Sequence, residues 1–428
     1  MQKTSLFAST SEDQGGLSRR NFLQMGAIAV PALAFGSRML PAPVVEATGV
    51  APASLAGFDT LMKTYIKERG ITCGQLAVSK GGRLVLARGY RYSDGSHAVP
   101  AVSPTSLFRI ASLSKHITAI AIMRLAQEGK LSLTASAAKL LGLSTSADSR
   151  LANVTVWRLL QHTGGWDRDV SGDYLHMDLT IAKALGVPLP ITQDHIVTYA
   201  SARPLDFAPG TKFAYSNYGY LLLGRIIEKV SGMGYEAYVR QKVLAPLGIT
   251  RPRLGRTLRT QAASGEVIYE SRYTGQTILD QSGQVLPAPY GGGFSMACQG
   301  PNGGWIASAA DLVRLAKVLD APNTVLNSTS IARMLAKPEI GVNQYGSWYG
   351  AGLWVRQVTG HVNTWHDGSQ PGTYTYIARL QNGVTYAALF NRREESGSPD
   401  FDVLADLFNT QIGKVRSWPA GDLSSRYF

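Results

Sequence analysis

The chain has 428 residues, 45% of them apolar and 17% charged, with a formal net charge of +13. That is enough chain for a large core and two lobes, and too apolar for a disordered protein. The basic residues are scattered, with short runs at 251–259 and at Arg392 and Arg393, which argues against a nucleic-acid-binding face and for a solvated basic surface. Cys73 and Cys298 stand apart from any Cys/His cluster, so the pattern speaks against a zinc site; a disulfide is permitted but not required, and each reads as a small buried residue.

Residues 18–36, SRRNFLQMGAIAVPALAFG, pair Arg19 and Arg20 with a short apolar run. This is the pattern of a twin-arginine export signal, with cleavage expected after about Ala47. The run is too short to span a bilayer and contains Pro31, and no later segment is long and apolar enough. Residues 1–47 are therefore expected to be an address read by the twin-arginine export machinery. The remainder is expected to be periplasmic or secreted, without stable membrane insertion.

Beyond the leader, residues 58–69 carry apolar positions at helical spacing. GQLAVSKGGRLVLARGY alternates as two strands joined at Gly81 and Gly82. A helix is expected over 111–127, ended by Gly129. The middle, 130–345, reads mostly as helical pieces, clearest at 218–230, 235–243 and 309–318, while most of 252–300 reads as loop. Strand-like GAGLWVRQV, GTYTYIARL and VTYAALFNR follow, then a helix at about 399–409. GVTYAALF follows GTYTYIARL after only Gln381 and Asn382, too few residues for a crossover, so the sheet is expected to be antiparallel. The expected architecture is α+β: one antiparallel sheet built from both chain ends with flanking helices, plus an inserted, mostly helical lobe.

Three short motifs carry chemistry. Ser112-Leu113-Ser114-Lys115 places a hydroxyl and an amine at i and i+3, on one helix face. A serine is a weak nucleophile until its proton is taken, and a lysine buried among residues such as Ile110, Ile117 and Ile120 has the lowered pKa that this needs. If Ser112 opens its helix, its own N–H is free for a reacting oxygen. His116, at i+4 from Ser112, is a rival base. Ser136-Ala137-Ala138-Lys139 repeats the spacing in an ordinary amphipathic stretch. The second motif, Tyr215-Ser216-Asn217, lies where a loop enters a helix. A tyrosine near a lysine loses its proton more easily and can serve as general base or acid. Asn217 can hold a lysine or an acyl carbonyl, or cap the helix. The third, His366-Asp367-Gly368, precedes strand-like sequence, and its glycine allows close approach to the backbone. His162-Thr163-Gly164 repeats its pattern.

Together and in this order, the motifs resemble the serine beta-lactamase and penicillin-binding-protein superfamily. LFRIASLSKHITA, LLQHTGGW, FAYSNYGYLLLG, LAPLGI, GGWIASAADLVRLA, YGAGLWV and WHDGSQPG are similar to its class C-like branch of esterases and D-aminopeptidases. The resemblance covers roughly 55–412. It implies a sheet lobe at about 55–111 and 346–412, a helical lobe at about 112–345, and a C-terminal tail at 413–428. It implies that Ser112 is acylated, that Lys115 activates it, and that Tyr215 moves the proton to the leaving group. Asn217 would position Lys115 and substrate, and the N–H of Ser369, beside Gly368, would be the second oxyanion donor.

One position departs from the beta-lactamases. They carry lysine where this chain has His366, and histidine is mostly neutral at pH 7. That suits esters or small amides better than beta-lactams, and H-x-G is the form seen in the related esterases and D-aminopeptidases. The expectation is a serine hydrolase acting on a small-molecule ester or amide, with no metal or organic cofactor. The alternatives are a beta-lactamase or cell-wall carboxypeptidase, and an acyl-binding sensor without turnover. Trp166, Trp305, Trp348 and Trp365 fall near the motifs as candidate acyl-pocket walls, Trp365 first because it adjoins His366.

Overall fold

A computed structural model describes residues 44–94, 99–395, 397 and 400–428. The twin-arginine motif and its apolar run lie outside the described residues. Among those described there are thirteen strands: β1 (Val44–Val50), β2 (Cys73–Lys80), β3 (Arg83–Ser93), β4 (Phe108–Arg109), β5 (Arg253–Leu254), β6 (Thr274–Gln276), β7 (Val285–Pro287), β8 (Trp305–Ala307), β9 (Ser347–Tyr349), β10 (Trp354–Val358), β11 (His361–Gln370), β12 (Thr373–Arg379) and β13 (Val384–Phe390). Eight of them form one sheet, ordered β1-β3-β2-β13-β12-β11-β10-β9. Every pairing in it is antiparallel.

The alternation read in the sequence assigns side chains to two layers. In β13, Tyr386, Ala388 and Phe390 point outward, while Ala387 and Leu389 point inward to the larger core. Helices Ala56–Glu68 and Leu404–Gly413 cover the outer face, with Phe408 stacked on Phe58 at 6.0 Å and on Tyr386 at 4.6 Å. The helical lobe and helix Ala309–Ala316 cover the inner face. Gly81 and Gly82 both take positive φ, +56° and +76°, as the two-residue hairpin between β2 and β3 requires. No helix among the described residues is long and apolar enough to cross a membrane.

Three expected boundaries shift. β1 pairs with β3 from Val44↔Ser93 to Val50↔Ala87, so among the described residues the sheet already includes Val44, ahead of the expected 55, and a cut after Ala47 would divide a strand. Its sequence, VVEATGV, alternates between exposed and half-buried positions at a sheet edge, and so blends with the leader. The tail at 413–428 is docked. Leu84 N–H donates to Asp422 Oδ1 at 3.1 Å, Leu423 N–H donates to Leu84 O at 2.8 Å, and the Phe428 ring lies 4.8 Å and 4.2 Å from the guanidinium carbons of Arg251 and Arg314. Helix Ala309–Ala316 falls by position in the expected helical lobe, but it packs on β2 and β13 and so belongs with the sheet.

Candidate active site

Helix Ser114–Gln127 is buried on nearly every side, as a helix apolar all round must be. Helices Asn217–Ser231 and Met296–Gly303 pack against it. The 3₁₀ turn Ala111–Leu113 leads into it, and Ala111 holds φ +46°, a left-handed conformation costing a side-chain-bearing residue about 1 kcal/mol. Ser112, partly exposed, sits in that turn, where N–H groups have no partner within the helix.

Lys115 is fully buried. Its ammonium donates to Ser112 Oγ at 3.0 Å, Asn217 Oδ1 at 2.8 Å and the Asn302 carbonyl at 2.9 Å. Desolvation pulls the amine down to about 7. Asp173 and Asp367 oppose that fall and Arg168 adds to it. The hydroxyl is thus reachable, while the amine beside it is dry and poised near neutrality.

Ser216 caps the helix Asn217–Ser231, its Oγ accepting from Gly219 N–H at 3.1 Å. The cap therefore leaves the Asn217 side chain free, and it bridges Lys115 to Asp173 through Nδ2, 2.5 Å from Asp173 Oδ2. Tyr215 turns its ring to the site, with Lys115 Nζ 4.8 Å from the ring centroid and the Arg168 guanidinium carbon 5.4 Å from it. Burial pushes its phenol well above the ordinary range, and the Ser112 hydroxyl is the polar group that most offsets this. Against the expectation that Tyr215 loses its proton easily, desolvation outweighs the Ser112 hydroxyl and the Arg168 guanidinium, and Tyr215 is a neutral phenol in the free protein. Its hydroxyl is buried and makes no hydrogen bond of normal geometry.

The third motif lies on β11. Through Trp365 this strand pairs with β10; from His366 to Gln370 it pairs with β12, and among the described residues no strand takes its other edge. Gly368 faces the nucleophile turn so closely that a Cβ would fall 2.6 Å from Ile110 O and 2.3 Å from Thr375 Oγ1. Ser369 follows it, exposed, with its hydroxyl 3.4 Å from Arg393 Nη1. His366 is buried. Its Nδ1 meets the Asp367 carbonyl, which can only accept, so Nδ1 carries the proton and Nε2 accepts from Tyr349 Oη at 2.8 Å. Burial, then Lys115, holds the imidazole down to about 3, so His366 is neutral.

The rival motifs have other places. Ser136 is a helix cap, accepting from Lys139 N–H at 3.4 Å. His116 is buried with Nε2 unpartnered, and desolvation lowers it to about 4. His162 packs against the Tyr215 ring, 4.2 Å between centroids. The tryptophans are core residues: Trp305 Nε1 donates to Tyr235 Oη, Trp348 Nε1 to Leu335 O, and Trp166 packs edge-on to Tyr218. Trp365 stacks on Trp354, on the sheet face opposite His366, because neighbours on a strand point apart. Both cysteines are free and buried. Asp173, Asn302 and Arg168 complete the site without a sequence signal of their own, and Tyr349 completes it from the YGAGLWV segment, where the resemblance gives it no role.

Comparison with known proteins follows the same lines. The family model described as Beta-lactamase matches residues 58–408. Protein flp of Staphylococcus aureus is 31% identical over 201 residues, which are 46% of this chain and 38% of that protein, so the chain spans well under half of that relative's length. Penicillin-binding protein 4 of Amycolatopsis lactamdurans is 28% identical over 325 residues, 74% of this chain and 78% of that protein. The octameric penicillin-binding protein homologue from Pyrococcus abyssi superposes with TM-score 0.64 at 26% identity, over 84% of this chain and 77% of that one. Two structures share the fold at lower identity. D-amino acid amidase from Ochrobactrum anthropi SV3 has TM-score 0.65 at 19% identity, covering 85% of this chain and all of that one. The hydrolase EstCE1 has TM-score 0.63 at 21%, covering 85% and 98%.

Proposed function

Because this chain belongs to the beta-lactamase family, we propose that it is an exported serine hydrolase cleaving esters or small amides through an acyl-enzyme on Ser112. One observation carries the reading: the dry Lys115 amine, near neutrality, lies 3.0 Å from the Ser112 hydroxyl. Neutral Lys115 takes the Ser112 proton as Oγ attacks the carbonyl carbon. The N–H groups of Ser112 and Ser369 hold the oxyanion. As the tetrahedral intermediate collapses, the proton passes through Tyr215 to the leaving alcohol or amine. Water, deprotonated by the same groups, then releases the acid and returns Oγ–H. A neutral His366 offers no fixed charge to a beta-lactam carboxylate, which favours uncharged esters and small amides.

A second reading, beta-lactam hydrolysis or D-alanyl carboxypeptidase activity, is favoured by Arg168, whose guanidinium carbon lies 5.4 Å from the Tyr215 ring centroid, close enough to the site to meet a substrate carboxylate. A sensor that acylates without turnover is separated from both by deacylation. The test is a panel of short p-nitrophenyl esters, D- and L-amino-acid p-nitroanilides and a chromogenic cephalosporin, run on the protein and on Ser112→Ala. The expected result is ester turnover lost by orders of magnitude in Ser112→Ala. Rapid cephalosporin cleavage with inert esters selects the second reading; stoichiometric labelling of Ser112 without release selects the sensor. Export is tested by fusing residues 1–47 to a folded reporter: a reporter that stays cytoplasmic where the twin-arginine machinery works rejects that part.

A further inference from the structure

His162, whose HTG triplet repeats the His366 pattern, is left without a role by the site, yet the chain pays for its conformation. It holds φ +57°, left-handed and uncommon for a residue with a side chain. That backbone turns two acceptors toward the segment around Tyr215. Its carbonyl accepts from Ala214 N–H at 2.9 Å, and its Nδ1 accepts from Ser216 N–H at 3.0 Å. Between those two bonds its ring lies against the Tyr215 ring, 4.2 Å between centroids. The imidazole also packs against Tyr349 at 4.5 Å and Tyr220 at 5.1 Å. Because an amide can only donate, Nδ1 is bare and the proton sits on Nε2, which is buried and unpartnered. Desolvation, with the nearby Lys115, keeps the ring neutral and so preserves that acceptor.

From this geometry we propose that His162 is the positioning residue for Tyr215: it grips the residues on either side of the tyrosine and packs against its ring, fixing the phenol over Ser112. The proposal rests on the acyl-enzyme reading above. It differs from a plain packing role in what it requires of the side chain. An acceptor at the Nδ1 position and tolerance of positive φ are both needed. Asparagine supplies both, leucine neither, and glycine only the second.

The experiment compares wild type, His162→Asn, His162→Leu and His162→Gly on the p-nitrophenyl and ethyl esters of one acid. Ethoxide needs a proton to leave and p-nitrophenolate does not, so a displaced Tyr215 harms the ethyl ester more. His162→Asn is expected to keep kcat/KM within about fivefold. His162→Leu and His162→Gly should lose roughly a hundredfold or more in kcat/KM on the ethyl ester, with a loss about tenfold smaller on the p-nitrophenyl ester, since kcat/KM reports the acylation step in which the leaving group departs. Equal losses on both esters, wild-type kcat/KM in His162→Gly, or no advantage of Asn over Leu and Gly would each overturn the proposal. If His162→Leu fails to fold, the Asn–Gly comparison carries the test, since both tolerate the backbone. Wild type inert on both esters would refute the acyl-enzyme reading on which the proposal rests. There the tautomer tests the grip directly: nitrogen NMR should show His162 as neutral Nε2–H from pH 5 to 9, and a protonated or Nδ1–H ring overturns it.

Discussion

Asp173→Asn separates the charge next to Lys115 from the hydrogen bonds around it. Asn217 bridges the two, with contacts of 2.8 Å to Lys115 and 2.5 Å to Asp173. Across one amide this sets the ammonium and carboxylate roughly 7 Å apart. At an effective dielectric constant of about 20, that is roughly 2 kcal/mol, or between one and two pH units of support for the charged amine. Asparagine keeps the shape and its one oxygen can still accept from Asn217, while the cap bond that Asp173 Oδ1 accepts from Leu175 N–H, remote from Lys115, is given up with the charge. Lys115, held down to about 7 in the wild type, should then titrate one to two units lower. Its neutral form is the base, so kcat/KM rises with pH through that pKa. The rising limb for p-nitrophenyl acetate should move from near pH 7 toward pH 5–6, read at the wavelength where p-nitrophenol and its anion absorb equally. A limb that stays put, or moves alkaline, refutes the assignment of Lys115 as the titrating base.

Two further perturbations test the surroundings. Asp178 is buried, with neither carboxylate oxygen hydrogen-bonded, and desolvation pushes it up to about 7. The unfolded chain releases this proton near pH 4, so between about pH 4 and 7 the native state binds the extra proton and stability falls as pH rises. Asp178→Asn escapes this loss: urea unfolding should show it more stable than wild type at pH 8, by at most about 4 kcal/mol, with the gain gone at pH 4. A gain equal at both pH values contradicts the titration. Gly368→Ala would press a methyl into Ile110 O and Thr375 Oγ1, driving β11 off the nucleophile turn. It should cost about 1–3 kcal/mol of stability and roughly a hundredfold in kcat/KM; wild-type kinetics would show that β11 need not sit this close.

What the sequence made legible follows from how local each signal is. β2, β3, β12 and β13 alternate over seven residues or more and turn at glycines or at Gln381 and Asn382, so pattern alone places them. Ser112 and Lys115 meet because i and i+3 meet on any helix. Asp173 and Tyr349 have no such pattern, since each reaches the site only through tertiary packing. Asn302 contributes a backbone carbonyl, which every residue has. Its helix, MACQGPNG, holds Pro301 and two glycines, a loop-like composition that folds as helix because it is buried against helices Ser114–Gln127 and Asn217–Ser231. β6 and β7 are three residues each, too short for alternation to register. The raised phenol of Tyr215 was missed for a related reason. Sequence does not show the depth of burial, and burial is the largest effect on this phenol.

In the proposed mechanism Ser112 is acylated by substrate and the acyl group is then released by water. Rapid acid quench of the protein with p-nitrophenyl acetate, followed by peptide mass mapping, reads this directly. The expected result is one acetyl group, on Ser112, formed within the first turnover and decaying as substrate is exhausted, with none in Ser112→Ala or Lys115→Met. Ester hydrolysis that persists in Ser112→Ala, or an acetyl group mapped to another residue, would contradict it.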